Sequence, residues 1–255
     1  MIKKLLSSFI LLLLILGPAT ILTAQEDSSY AMWESFYITP DKTKLKALGE
    51  AMAKHNKKYH NEGPHMAAVY NVVTGPNTGK LIWRMGPLNY SHLDDRPADG
   101  GHDEDWRDNV MPNIKKISTG EYWKQDNTFS NTAMLEGADH VNILHVRFWE
   151  VAKGKGHQIN HLFQQISNAV KDMDGDNPWG VYYNEFRQGY TIGRHIATVM
   201  FLDNWAEYDE DDNFKEHFVK VNGEKSWDAF DKGMSETFSN SWDEVQEYNA
   251  TLSGN

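Results

Sequence analysis

The sequence predicts an α+β protein in which two tandem βαββαβ units pack sheet to sheet as an intrachain α/β barrel. Three observations predict this. Residue pairs recur in the same order along two successive stretches of about equal length. Each stretch opens on a segment of alternating apolar and polar residues, the period of a strand. Each then continues into apolar residues spaced three and four apart, the period of a helix.

The repeat is plainest in Met66 to Asp95, "MAAVYNVVTGPNTGKLIWRMGPLNYSHLDD", and Trp179 to Glu210, "WGVYYNEFRQGYTIGRHIATVMFLDNWAEYDE". Both hold Tyr-Asn, a glycine-containing turn, an apolar run, an Asn-aromatic step and an acidic end. Phe36-Tyr37 aligns with Phe148-Trp149, Tyr70-Asn71 with Tyr183-Asn184, and Asn89-Tyr90 with Asn204-Trp205. Trp106 falls beside Trp227, and Trp123 and Phe129 match Trp242 and Tyr248. An ordered series of this kind is what a duplication leaves.

The elements follow in order. Ile143 to Glu150 alternates as a strand, with Leu144, Val146 and Phe148 on one face and His145, Arg147 and Trp149 on the other. Ile159 to Met173 carries a helical apolar stripe, as do Leu45, Leu48, Met52 and Tyr59 in the first copy. Pro40 suits the first turn of that helix. A hairpin comes next in each copy, turning at Gly75-Pro76-Asn77 and at Gln188-Gly189. A second helix is expected over Asp105 to Ile117 and Ser226 to Thr237, and a last strand over Tyr122 to Phe129 and Trp242 to Tyr248. This βαββαβ order is the ferredoxin-like arrangement. Its sheet has helices on one face only, so the bare face must be buried, and the other copy can do it. The expected organisation is a signal peptide over 1–24, a first unit over 25–135 and a second over 136–255.

Composition narrows the function. The formal net charge is −11, and −13 without Lys3 and Lys4. No Lys/Arg cluster offers counterion release to a polyphosphate, so nucleic acid is not an expected partner. An anionic membrane surface is disfavoured for the same reason. The absence of cysteine excludes disulfides, thiolate catalysis, iron–sulfur clusters and covalent haem attachment. "MIKKLLSSFILLLLILGPATILTAQEDSS" has a positive start, a short apolar core and Ala24 as a cleavage residue, the pattern of a secretory signal. Leu22 departs from the small residue usual three before the cut. Export to a periplasm or the exterior is expected, with no membrane span after cleavage.

"SFYITPDKTKLKALGEAMAKHNKKY" (Ser35 to Tyr59) resembles the opening strand and helix of NIPSNAP-like and antibiotic-biosynthesis-monooxygenase-like units. With the doubled βαββαβ order, the chain resembles the dimeric α/β-barrel superfamily, which also includes haem-binding chlorite dismutase relatives. The resemblance covers nearly the whole mature chain but brings no catalytic motif. It implies a barrel between the sheets that could hold a small ligand, with haem among the cofactors.

If the apolar face of the second copy's first strand lies under its helices, His145, Arg147 and Trp149 face the barrel interior, opposite Trp33, Ser35 and Tyr37. Those six residues form the expected ligand pocket. Arg147 could hold a carboxylate or oxyanion, and His145 could move a proton. His195, in "GRHIATVMF", is the other candidate acid, base or, on the resemblance, haem ligand. Against each stands a structural role as a paired strand residue. Four further stretches read as structural. Tyr183 and Asn184 recur in both copies. In "GGHDEDW" the adjacent acids open a helix rather than meet at one ion. "DMDGDN" lacks the Gly and Glu of a calcium loop. "EYDEDD" is a solvated acidic run. No metal site is expected. Two classes of function stay open at this point: a monooxygenase-like or haem-related oxidoreductase, and a non-catalytic ligand-binding or structural protein, with a homo-oligomer compatible with either.

Overall fold

The computed structural model describes residues 30–138, 140–188, 193–211 and 213–255. The expected signal peptide and the Gln188-Gly189 turn's glycine lie outside them. Among the described residues no helix is long and apolar enough to cross a membrane.

The first half contains β1 (Met32–Pro40), α1 (Leu45–Tyr59), β2 (Ala67–Val72), β3 (Leu81–Leu88), the short α2 (His102–Asp105), β4 (Ile114–Ile117) and β5 (Glu121–Gln125). The second contains β6 (Ile143–Val151), α3 (Ile159–Asp172), β7 (Trp179–Asn184), β8 (Ile196–Leu202), α4 (Phe214–Asn222), α5 (Ser226–Thr237) and β9 (Phe238–Tyr248). Neighbouring strands run β3-β2-β9-β6-β8-β7-β5-β1, and β1 pairs back onto β3, so eight antiparallel strands close a barrel. Closure leaves these eight without a free edge. Among the described residues β4 pairs only with the end of β1, outside the ring.

The halves meet where β2 joins β9 and where β5 joins β7. Within each half the four barrel strands lie in the same order: β5-β1-β3-β2 and β9-β6-β8-β7. Helices cover the outside. α3, α4 and α5 bury Phe163, Phe218 and Phe230 against β7, β8 and the start of β9. α1 buries Leu48 and Met52 against Val69, Trp83 and Met85. A third apolar cluster, with Tyr70, Trp123, Phe148 and Tyr182, lines the inside. The Asn-aromatic steps of the repeat have a local cause. Asn89 and Asn204 each cap a 3-10 turn, with His92 and Glu207 reaching back to the cap's N–H.

Three sequence expectations shift. Pro40 ends β1, and α1 starts only at Leu45. The helix expected over Asp105 to Ile117 starts earlier, at His102, widens into a π turn over Trp106–Val110, tightens through Met111–Asn113 at Pro112, and gives way to β4. Its "IKKI" is a strand because it meets the last residues of β1. The strand expected over Tyr122 to Phe129 stops at Gln125, because Asp126 turns the chain by accepting from the N–H groups of Thr128 and Phe129.

Candidate functional site: the barrel interior

All eight barrel strands send side chains into a cavity of about 710 Å³, within the usual range for small-molecule sites. β1 contributes Trp33, Ser35 and Tyr37, and β6 contributes Leu144, Val146 and Phe148. Residues from the β5–β6 connection, among them Thr132, Leu135 and His140, complete the wall.

The structure thus brings Trp33, Ser35 and Tyr37 to the cavity but turns His145, Arg147 and Trp149 away from it. This corrects the expected facing of β6. Arg147 makes a two-pronged bond to Asp243, with Nε 2.6 Å and Nη2 2.8 Å from its carboxylate oxygens. His145 Nε2 lies 3.6 Å from the same carboxylate. Trp149 packs on Phe238 under the helices and donates to Thr198. The physical reason is that the inside of this barrel is itself apolar, so the apolar set of β6 is the inward one. Aligning Phe36 with Phe148 set the two halves one residue out of register. Phe36 stacks outward on Trp83, whereas Phe148 packs inward on Trp123. A one-residue slip exchanges the two faces of a strand. The Tyr70–Tyr183 match slips likewise, since Tyr182 is the inward tyrosine and Tyr183 packs on the helix side.

Two polar groups are built into the apolar wall. Arg194 binds Glu121 through Nε at 2.6 Å and Nη2 at 2.8 Å, with its guanidinium 3.7 Å above the Phe148 ring. Its Nη1 is buried with no hydrogen-bond partner among the described residues. Trp123 Nε1 also donates to Glu121. Burial opposes the charge on Arg194, but the neighbouring Tyr37 and Glu121 outweigh it and hold its pKa above the ordinary value. The second group centres on Glu244, fully buried, which accepts from the Tyr37 hydroxyl at 2.7 Å and from Gln246 at 3.2 Å. Burial first, and then the acidic neighbours, raise the Tyr37 hydroxyl well above its usual pKa. Gln246 in turn accepts from Arg84 Nη2 at 3.1 Å.

Arg84 differs from Arg194. It lies half-buried in the cavity wall, over the Tyr70 ring at 5.2 Å, and no carboxylate pairs with it among the described residues. It is a cation with donors to spare, facing apolar space. Sequence reasoning missed it, along with Arg194, Glu121 and Glu244. "LIWRMGPL" did hold one signal: Arg84 interrupts an otherwise apolar strand.

Haem binding by His145 or His195 would need one of them on the cavity wall, and neither is there. His195 Nδ1 accepts from the Val151 N–H at 2.9 Å. Among the described residues the histidine that does reach the wall is His140, stacked on Tyr248. The donor set proposed for haem does not fit it.

No protein-family model and no curated protein sequence matches the chain. Solved structures do match in fold. A monooxygenase candidate from Lactobacillus acidophilus superposes with a TM-score of 0.52 at 10% identity, over 86% of this chain and 94% of that one. Chlorite dismutase from Candidatus Nitrospira defluvii in complex with imidazole gives 0.53 at 7%, over 88% and 93%. An anthrone oxidase-like protein gives 0.52 at 12%, over 89% and 94%. The chain therefore has the ferredoxin-like α/β-barrel fold of monooxygenase-like and chlorite dismutase-like proteins.

Proposed function

We propose that the protein binds a small organic anion, apolar in body, inside the barrel, with Arg84 holding its charged oxygen. The observation that carries this is Arg84 itself: a guanidinium without a carboxylate partner among the described residues, in the wall of a largely apolar cavity. A planar fork of N–H donors suits a carboxylate or enolate oxygen. Trp33, Tyr70 and Tyr182 supply flat apolar surface for the ligand's body. Arg194 is already committed to Glu121 and acts as a brace.

A second reading, an oxidoreductase acting on that same ligand, draws on Tyr37 and Glu244. They form a hydroxyl–carboxylate pair that could pass a proton at the cavity wall. We further read the two halves, 25–135 and 136–255, as duplicated ferredoxin-like units. Their common strand order and paired Asn caps support this reading. We place the opening strand and helix nearest the NIPSNAP-like and monooxygenase-like units, and take the chain to be exported after cleavage at Ala24.

The test is a titration with 2-naphthoate, followed by quenching of tryptophan fluorescence. Saturable quenching in the wild type, lost in Arg84→Met and kept in His195→Ala, is the expected result. Equal affinity in Arg84→Met would remove the anchor. A parallel haem titration with a saturable Soret shift, insensitive to Arg84, would replace the anion reading with a haem one. Ligand-dependent consumption of dioxygen would decide for the oxidoreductase.

A further inference from the structure

Outside the barrel, on the helix side of the first half, three histidines from separate segments meet. His55 and His60 flank the last turn of α1, and His102 opens α2. One ring nitrogen from each lies within 4.8 Å of the other two. We propose that His55, His60 and His102 bind a zinc-class transition-metal ion through their Nε2 atoms, clipping the end of α1 to the Gly100–Asp105 segment.

The hydrogen bonds assign the nitrogens. Each Nδ1 already has an oxygen partner: His55 with Asp105 Oδ2 at 2.9 Å, His60 with the His65 carbonyl at 2.8 Å, and His102 with Asp103 Oδ1 at 2.7 Å. Metal-bound imidazoles characteristically have this outer arrangement, in which a carboxylate or carbonyl fixes the tautomer and turns the Nε2 lone pair toward the ion. His60 Nε2 and His102 Nε2 are 3.1 Å apart. With zinc–nitrogen bonds of about 2.0–2.1 Å, two ligands of a tetrahedral ion sit roughly 3.3 Å apart, so this pair needs little adjustment. His55 is fully buried, and among the described residues its Nε2 has no hydrogen-bond partner. A buried imidazole nitrogen without a partner is unfavourable unless something else meets it, and here the His60 and His102 rings lie 5.4 and 4.9 Å away, centroid to centroid.

The surroundings suit a borderline metal. The Trp83 and Trp106 rings wall the cluster at about 5.1 Å from His60 and His55. The His102 side chain is 17% exposed and gives access from solvent. Three nitrogens and no carboxylate at the centre favour zinc, copper or nickel over calcium or magnesium. Three protein ligands leave one position for water or a small anion. This reading is independent of the barrel ligand, because none of the three residues lines that cavity.

The test uses the full chain, stripped with a chelator and titrated with Zn²⁺, and with Co²⁺ as a spectroscopic probe. One ion per chain is expected, with the visible absorption of Co²⁺ held by nitrogen in a site of low coordination number. His102→Ala, at the accessible edge, should retain the fold and reduce occupancy to about a tenth or less. Asp105→Ala should retain binding but weaken it about 10–100-fold, as loss of an outer carboxylate does. His157→Ala, on an exposed turn, should leave binding unchanged. Absence of a bound ion in the wild type, or undiminished stoichiometry and unchanged Co²⁺ spectrum in folded His102→Ala, would overturn the proposal and leave three neutral rings packed for structure alone.

Discussion

Beneath the helices of the second half, Phe163, Phe218, Phe230 and Phe238 pack with Trp179 and Trp227 into one hydrocarbon layer. Beneath the helices of the first half, Trp83 and Trp106 share that layer with His55, His60 and Asn56. The strand order below is the same in both halves, so topology does not impose the difference. A phenyl layer stabilises by leaving water. An imidazole layer gives up part of that gain, because each nitrogen must find a partner in exchange. Asn56 finds both of its partners, the Leu252 carbonyl and Trp83 Nε1, and so ties the C-terminal tail to α1. The tail comes so close that a Cβ on Gly254 would lie 1.8 Å from the His60 carbonyl oxygen. His55 leaves one nitrogen unmet among the described residues. The contrast teaches that one half is packed for stability, while the other accepts a polar defect in the place where an ion could repair it.

The largest expected effect tests the hydrocarbon half. Phe163 is fully buried between α3 and the sheet, and Phe163→Ala should lower unfolding free energy by about 3–5 kcal/mol in urea denaturation. The matching change in the first half, His55→Leu, should behave differently. In chelator-treated protein it should shift stability by no more than about 1 kcal/mol, since an apolar group replaces a half-satisfied polar one. With zinc at a hundredfold over its dissociation constant, the wild type should gain about 2.7 kcal/mol and the variant nothing. A metal-free His55→Leu protein as unstable as Phe163→Ala would break the comparison, because the imidazoles would then be ordinary core.

The two halves were also unequally legible. Alternation and helical spacing located β6, α3 and α5 closely, since each is long and has one clearly apolar face. They missed α4, whose nine residues bury fully only Phe218. They extended a helix over Lys115 and Lys116, where pairing with β1 overrides the local pattern. The facing of β6 was misread because an apolar face was assumed to lie under helices. In a closed barrel with an apolar interior, the apolar face of a strand can turn inward instead, and alternation alone does not say which side it meets. The histidine site was invisible for another reason. "GGHDEDW" was weighed with its own adjacent acids as ligands, whereas the fold makes Asp103 and Asp105 the outer partners and brings the other two histidines from α1.

The smallest effect sharpens the correction at β6. Arg147 and Asp243 are 45% and 40% exposed, so solvent screens their pairing. Arg147→Ala should cost less than about 1 kcal/mol and leave 2-naphthoate affinity unchanged. The bond from Arg147 holds the Asp243 carboxyl below its ordinary pKa of 3.8. A depressed carboxylate stabilises the fold above the unfolded pKa and loses that contribution as pH falls through the folded one. The small difference between wild type and Arg147→Ala should therefore be constant from pH 5 to 8 in about 0.1 M salt, start to fall near about pH 4, and be lost only as pH drops through the lowered folded pKa of Asp243. Loss of ligand binding in Arg147→Ala, matching that in Arg84→Met, would return Arg147 to the interior and undo the assignment of Leu144, Val146 and Phe148 to the cavity wall. Unchanged binding would leave Arg84 as the cation that the barrel presents to its ligand.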